Sequence, residues 1–248
     1  MSLTDDVKSL ALELGADLIG VAPIERFEGA PQLYHPQGLL PQTKSVISIA
    51  IRHLHGLLVP QKDWVEHYPY QTYGYGWLSN IRLNWVAFEV ARFLEDQGYI
   101  TCPYPSFFQG KKAAISNRHS AVAAGVARFG WNNLAMSPKF GTKQRFVTVM
   151  TTAKLEPDPM LENDLCDMCL KCVDACPVGA ISRDEAVEFE IAGYPVRMAK
   201  LDKSKCGPCH SGKGPGFETS YPTFVTFSGG GHCGMCLIHC PKGTYAPQ

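Results

Sequence analysis

Nine of the ten cysteines lie in the last third of the chain, and the first four of these read Cys166, Cys169, Cys172, Cys176 and then Pro177, the spacing C-x2-C-x2-C-x3-C-P. Thiolates at this spacing hold a 4Fe-4S cubane: three bind one cluster, and the fourth, just ahead of the proline, reaches over to another. A second cluster is therefore expected. Cys233, Cys236, Cys240 and Pro241 repeat the end of the first run with one cysteine fewer. The missing ligand has to come from upstream, where Cys206 and Cys209 stand. Cys206 follows Leu201-Asp202 at the end of an expected strand and is the better candidate; Cys209 is either a spare thiol near the cluster or the ligand in its place. The expected sets are crossed: Cys166, Cys169 and Cys172 with Cys240, and Cys206, Cys233 and Cys236 with Cys176.

Other uses of these cysteines fit less well. Three C-x2-C pairs could build structural zinc sites, since zinc takes four tetrahedral thiolates, but zinc does not account for a C-x2-C-x2-C run or for a C-x3-C-P ending on both sides. Disulfides are disfavoured because no hydrophobic signal segment opens the chain. Cys102, in Thr101-Cys102-Pro103 after an apolar helix, reads as a small buried hydrophobe.

The chain has 248 residues, 45% of them hydrophobic, enough for a real core, and its 23 basic and 23 acidic residues balance. No global field recruits nucleic acid or a membrane. The balance is locally uneven. Between Asp96 and Glu156 there is no acidic residue, yet the interval holds Lys111, Lys112, Arg118, Arg128, Lys139, Lys143, Arg145 and Lys154. That stretch is either a solvated basic face or a seat for an anionic group such as a phosphate.

The elements that must position these groups follow from periodicity. Leu3 to Leu14 reads as a helix stopped by Gly15, and Asp17 to Ala22 and Ser45 to Ile51 as buried strands. Pro31 to Pro41 is a loop, and the aromatic and histidine-rich segment from His53 to Gly76 reads as loop or lid. Leu78 to Gln97 reads as an amphipathic helix with Ile81, Trp85, Phe88, Val90, Ala91 and Leu94 inward and Gly98 as its stop. A strand near Tyr99-Ile100, a small-residue helix from Ser116 to Arg128 and a strand from Arg145 to Thr151 complete an α/β domain over residues 1–155. The cluster module occupies 156–248, making the chain α+β as a whole.

The stretch from Arg118 to Leu134, with its Gly130-Trp131 ending, then Ser137-Pro138-Lys139-Phe140-Gly141, the following strand and the two cysteine runs together resemble the epoxyqueuosine reductase and reductive dehalogenase superfamily. Gly15 to Ala22 and Lys44 to Ile47 fit the start of that family's domain, so the similarity runs over most of the chain. The resemblance implies a nitroreductase-like α/β domain that binds cobalamin, followed by a ferredoxin-like module whose two 4Fe-4S clusters feed electrons to the cobalt. Two departures shape the expectation. Epoxyqueuosine reductases place a carboxylic acid shortly before the Gly-Trp helix as proton donor, and no Asp or Glu stands there. Their longer C-terminal region, which helps hold tRNA, has no counterpart, so tRNA is not an expected partner. No twin-arginine leader opens the chain, and the expected location is cytoplasmic, off the membrane.

A tyrosine can replace the missing acid if a nearby cation stabilises its phenolate. Tyr73, Tyr75 and Tyr104 are candidates, with Arg118 or Lys112 as partner, and His119 could donate a proton or contact a phosphate. Gly125 and Gly130 would allow close approach of a planar cofactor. Trp131 and Ser137 belong to the same conjectured pocket, and Asn132 and Asn133 offer amide donors to it, although packing and turn roles suit all of them too. Two functions follow. One is a corrinoid reductase acting on a small organic molecule, fed by a ferredoxin or flavodoxin; a flavin in place of the corrin is a weaker variant. The other is an electron carrier that serves a partner, for instance by reactivating a corrinoid protein. A cavity lined by Tyr73, Tyr75, Tyr104, Arg118 and His119 would favour the first, a filled one the second.

Overall fold

The computed structural model of the chain describes residues 2–31, 34–62, 68–106, 114–210 and 233–243. Lys111 and Lys112, counted in the basic stretch, lie outside them. Helix α1 (Leu3–Glu13) starts on a reciprocal cap: the Ser2 hydroxyl accepts from the Asp5 amide and the Asp5 carboxylate accepts from the Ser2 amide. It ends where Gly15 takes φ +94°, a conformation open to glycine. The strands that follow are β1 (Leu18–Pro23), β2 (Ser45–Arg52), β3 (Thr101–Tyr104), the short β4 (Arg128–Phe129) and β5 (Ala135–Met136), β6 (Gln144–Thr151), β7 (Ile181–Ile191) and β8 (Tyr194–Leu201).

Four of them make the central sheet, in the order β1-β2-β6-β3 and antiparallel at every step. Helices and strands alternate along the sequence, but these pairings build no parallel crossover in that sheet. The mixed helix and strand content stands as expected. Strand β2 is buried on both faces, which explains its unbroken β-branched run. Its Ile47 and Ile49 pack with α1 and with α3 (Leu83–Asp96), through Val7, Ala11, Val86, Val90 and Leu94. Its Val46 and Ala50 face the other way, onto α4 (Asn117–Ala123) and its small residues Ala121 to Ala124. Each such buried aliphatic side chain contributes about 1.5–3 kcal/mol.

Two expectations fail here. The segment from His53 to Gly76 is helical where described, not a loop or lid: α2 (His55–Lys62) is followed by a π-helical stretch, Tyr70–Arg82, that runs straight into α3. His53, Tyr70 and Tyr75 are buried. The aromatic content that suggested a surface flap is core. Secondly, Ile81, Trp85 and Phe88 do not face inward; they are 36%, 44% and 57% exposed. The buried stripe of α3 is Leu83, Val86, Ala87, Val90, Ala91 and Leu94, at helical spacing. Three large apolar residues just outside that stripe pulled the sequence pattern off phase.

The second half of the chain holds a long hairpin, β7–β8, turning at Ala192 and Gly193, which have φ values of 52° and 78°. Three short helices carry cysteines or stand beside them: α5 (Lys171–Asp174), α6 (Lys203–Pro208) and α7 (Met235–Ile238). Helix α7 is built into the first half. Leu237 and Ile238 pack on Leu58, Tyr70 and Tyr75, and the Thr142 hydroxyl donates to the Leu237 carbonyl at 2.8 Å. Gly141, at φ +58°, lies so close to the last described turn that a Cβ would stand 1.9 Å from the Lys242 carbonyl. Gly141→Ala is accordingly expected to cost about 1–3 kcal/mol, read as a lowered midpoint in denaturant unfolding, whereas Gly29→Ala, also at positive φ but with open space around it, costs the backbone strain alone.

Candidate iron-sulfur and cofactor site

The cysteine loop 166–172 is shaped by two non-glycine residues in the left-handed region, Met168 and Leu170, each at φ 58° and each standing between successive cysteines. Such conformations persist only where the surroundings impose them. Main-chain donors already point at two sulfurs: the Trp131 amide donates to Cys166 Sγ at 3.4 Å and the Ala180 amide to Cys176 Sγ at 3.2 Å. Burial pushes the Cys172 thiol up to about 11, and Cys166, Cys240 and Cys169 add like charge around it. These four form the first group. Asp167 and Lys242 pair at 2.7 Å beside it, and Lys143 Nζ donates to the Cys240 carbonyl at 2.6 Å.

Around Cys233 and Cys236 lies the second group. Burial pushes Cys233 up to about 12, and Cys209 and Cys176 act on it as neighbouring thiols. Cys236 is driven higher by burial, with Cys233, Cys206, Cys172 and Cys176 around it. Five thiols thus meet there: Cys176, Cys206, Cys209, Cys233 and Cys236. Thiols crowded in this way resist ionisation unless a cationic metal core takes the charge, so the donor set suits an iron-sulfur cluster. Cys102 stands apart, half-buried against the aliphatic core of the sheet.

On the other side of α7 a cavity of about 950 Å³ opens between α4, β6 and the β7–β8 turn. Tyr104, Arg118, His119, Gln144 and Arg145 line it, and Leu237, next to Cys236, closes it on the side of the second group. Arg145 is the residue that sequence reasoning missed as a partner for tyrosine. Its guanidinium lies 3.8 Å from the centre of the Tyr75 ring and donates to the Tyr70 hydroxyl at 3.0 Å. Burial opposes its charge, but the two tyrosines outweigh burial and hold Arg145 above its ordinary value. Arg118 is drawn down by burial and by Arg145 beside it, and donates to the Asn133 carbonyl. Neither arginine has a carboxylate partner among the described residues. His119, packed between Phe129 and Phe189 with Nδ1 2.7 Å from the Ser116 hydroxyl, is pushed down to about 4 by burial and then by Arg118.

The other expected cofactor contacts have partners elsewhere. The Tyr75 hydroxyl is 2.6 Å from His210 Nε2, behind Arg145 rather than on the cavity wall, and Tyr73 is exposed. Gly125 faces the Pro159 carbonyl, and Gly130 faces Met136. Trp131 is buried against Cys166 and Cys172 with its indole donating to the Ser182 carbonyl; Asn132 donates to the Cys236 carbonyl at 2.9 Å and Asn133 to that of Ala199 at 2.9 Å. Ser137 bonds Gln144 within the core. The Gly-Trp-Asn-Asn turn therefore floors the thiol groups instead of lining the cavity. Of the basic stretch, Arg128 is paired with Asp164 at 2.7 Å, Lys143 holds the Cys240 carbonyl, and Arg118 and Arg145 reach the cavity.

Two outcomes follow. Cys172→Ser and Cys236→Ser should each remove iron from a different group while Cys102→Ser keeps it, by elemental analysis of anaerobically prepared protein. For His119, the folded chain binds the imidazole proton less readily than the unfolded one, whose value is about 6.5. Its contribution to stability is whole above that pH and is lost as pH falls toward 4. His119→Gln should therefore flatten the fall of the unfolding midpoint between pH 6.5 and 5 relative to the parent chain.

Comparison with known proteins bears on this geometry. Residues 159–182 match the 4Fe-4S binding domain family. The chain is 34% identical over 132 residues to a tetrachloroethene reductive dehalogenase of Desulfitobacterium hafniense, covering 49% of this chain and 23% of that protein. It is 25% identical over 233 residues to an epoxyqueuosine reductase of Bacillus cereus, covering 82% of this chain and 55% of the relative. Among solved structures, the catabolic reductive dehalogenase NpRdhA superposes with a TM-score of 0.68 at 21% identity over 95% of this chain and 31% of its own. Epoxyqueuosine reductase from Streptococcus thermophilus superposes with a TM-score of 0.61 at 19% identity, over 100% and 69%. The chain spans about a quarter of the dehalogenases it matches in sequence. None of these comparisons supports a flavin. Among the described residues no helix is long and apolar enough to cross a membrane. The chain is thus a homologue of reductive dehalogenases and epoxyqueuosine reductases, with their fold and a 4Fe-4S binding domain.

Proposed function

We propose that this protein is an iron-sulfur oxidoreductase with two 4Fe-4S clusters, in which a nitroreductase-like domain, residues 1–155, holds a corrinoid and a module, 156–248, supplies it with electrons to reduce a small organic substrate. The observation that carries this is the position of the cavity: about 950 Å³, at the upper end of small-molecule sites, separated from the second thiol group by little more than α7. An electron carrier without a cofactor of its own has no use for such a space. The relatives support the assignment, because one dehalogenase structure is described in terms of B12-dependent dehalogenation and epoxyqueuosine reductases share the fold.

A bound corrinoid would supply a strongly reducing metal centre that no side chain can. The residues of the chain do the rest. Arg118 and Arg145 offer positive charge to an anionic group in the cavity. Tyr75 backs the Arg145 guanidinium, which lies 3.8 Å from the centre of its ring, and its hydroxyl is tied to His210 Nε2 at 2.6 Å, so that Tyr75 and His210 fix the position of Arg145 in the cavity wall. Phe27, Phe146 and Phe189 keep one wall of the cavity apolar. A ferredoxin or flavodoxin is the donor that the clusters call for.

Iron and cobalt counts on anaerobically purified protein, with visible spectra before and after adding a corrinoid, test the proposal. About eight irons with corrinoid uptake is the expected result; about eight irons without uptake would leave the electron carrier. Tyr75→Phe and Arg145→Met should retain iron and corrinoid binding yet lower reduction of halogenated aromatic probes at least tenfold, with Arg145→Lys partly restoring it.

A further inference from the structure

The continuous helical rod from Tyr70 to Asp96 buries one face in the core and leaves the opposite face bare. Between Tyr70 and Phe88 its exposed positions are Tyr73, Trp77, Ile81, Trp85 and Phe88, and every one of them is large and apolar. They follow one another at intervals of four, four, four and three residues, a single stripe roughly 20 Å long. Tyr73 and Trp77 are 56% and 53% exposed, as open as the three on α3. Aromatic side chains carry about 150–250 Å² each, so at these exposures the five leave on the order of 500 Å² of apolar surface uncovered. That is near the top of the range of about 300–600 Å² for the largest apolar patch of a monomer.

We propose that this face is a homodimer interface, in which a second copy of the chain lays the same helix antiparallel against it about a twofold axis at Ile81. The stripe is self-complementary in that arrangement. Ile81 lies at its middle, and an antiparallel partner pairs Trp77 with Trp85, Tyr73 with Phe88 and Ile81 with its own copy, as an isologous contact requires. Ridges of residues four apart are those that interdigitate in the commonest helix packing. The area also fits, since the stripe alone supplies more than half of the about 800 Å² that each partner gives to a standard interface. Charge argues for a protein occupant and against a lipid surface. A helix that lies on a membrane flanks its apolar face with Lys and Arg. Between Tyr70 and Phe88 the single charged residue is Arg82, and its guanidinium donates to the Leu14 carbonyl at 2.7 Å. The inner face of the same rod carries Tyr70, whose hydroxyl accepts from Arg145, and Tyr75, whose ring backs that guanidinium. A second copy on the outer face therefore braces the helix that sets the cavity wall. The inference is independent of the cluster and corrinoid reading.

The test is the mass in solution of the full chain, prepared anaerobically at micromolar concentration, by sedimentation equilibrium, for the parent, Ile81→Glu, Ile81→Lys and an equimolar mixture of the two variants. Ile81 is exposed, so neither charge enters the core, and unchanged far-ultraviolet circular dichroism and iron content check the fold. The parent should have the mass of two chains. Each variant alone sets like charges against each other at the axis and should weaken self-association by about a hundredfold or more, giving one chain per particle. The mixture, with opposite charges at the axis, should return to two. A monomeric parent would overturn the proposal, and one that co-sediments with neutral phosphatidylcholine vesicles would assign the face to lipid instead. A dimer that survives both substitutions would place the interface elsewhere. Variants that stay monomeric when mixed would refute the antiparallel pairing about Ile81.

Discussion

The sulfurs of residues 166–176 and those of 233–240 have to meet in buried ground, and most of the second half of the chain is disposed by that requirement. A crowd of thiols is unfavourable on its own: burial and neighbouring sulfurs hold Cys172, Cys206, Cys209, Cys233 and Cys236 above the usual thiol range. The fold tolerates the crowd by surrounding it with fixed polar partners. The amides of Trp131 and Ala180 point at sulfur, and Asn132 and Lys143 hold the carbonyls of Cys236 and Cys240. Met168 and Leu170 accept left-handed backbone for the same end. These partners come from both halves of the chain, so the metal-binding loops are seated on the sheet rather than attached to it.

A second electrostatic problem lies next door. Two guanidinium groups, Arg118 and Arg145, sit close to one another in the cavity wall, and burial works against both. Their compensation comes from tyrosine hydroxyls, a carbonyl and the nearby thiol of Cys236 instead of from a carboxylate. Among the described residues neither guanidinium has an acidic partner, so their charge is turned toward the cavity, whose wall also carries Glu28 and Glu190.

Much of this was legible in the sequence. The C-x2-C-x2-C-x3-C-P run states its chemistry through spacing alone, and β2 and β6 declare themselves as buried strands because apolar residues occupy both faces, Val46 and Ala50 opposite Ile47 and Ile49, and Phe146 and Met150 opposite Val147 and Val149. What stayed hidden depends on long-range geometry. Arg145 reads as one basic residue among eight until β6 carries it beneath Tyr75, some 70 residues earlier in the chain. Tyr70 and His53 look like lid residues because aromatic and histidine content does not distinguish a buried π-helical turn from a loop. Ile81, Trp85 and Phe88 fit a helical stripe as well as the true one does, and only the phase set by the preceding π-helix turns them to solvent. The Gly130-Trp131-Asn132-Asn133 turn announced a pocket but serves the thiols, a distinction that spacing does not carry.

The contacts that seat the last described segment span nearly the whole distance from the sheet to the chain end: Thr142 to Leu237, Lys143 to Cys240 and Asn132 to Cys236 are separated by 95, 97 and 104 residues. A ribosome extending the chain at a steady rate has made the sheet and the first cysteine run well before these partners exist. During that interval the floor beneath Cys166 and Cys172 is formed on one side only, and the loop-closure entropy of about a hundred residues stands between the nascent chain and its finished form. Maturation of the metal site is thereby tied to completion of translation. A chain interrupted short of residue 233 would hold Cys166 and Cys172 against Trp131, Ile181 and Ala199 on one side and leave their other side open, so that soft, oxidisable thiols are uncovered and premature termination is a chemical hazard for this fold as well as a loss of material.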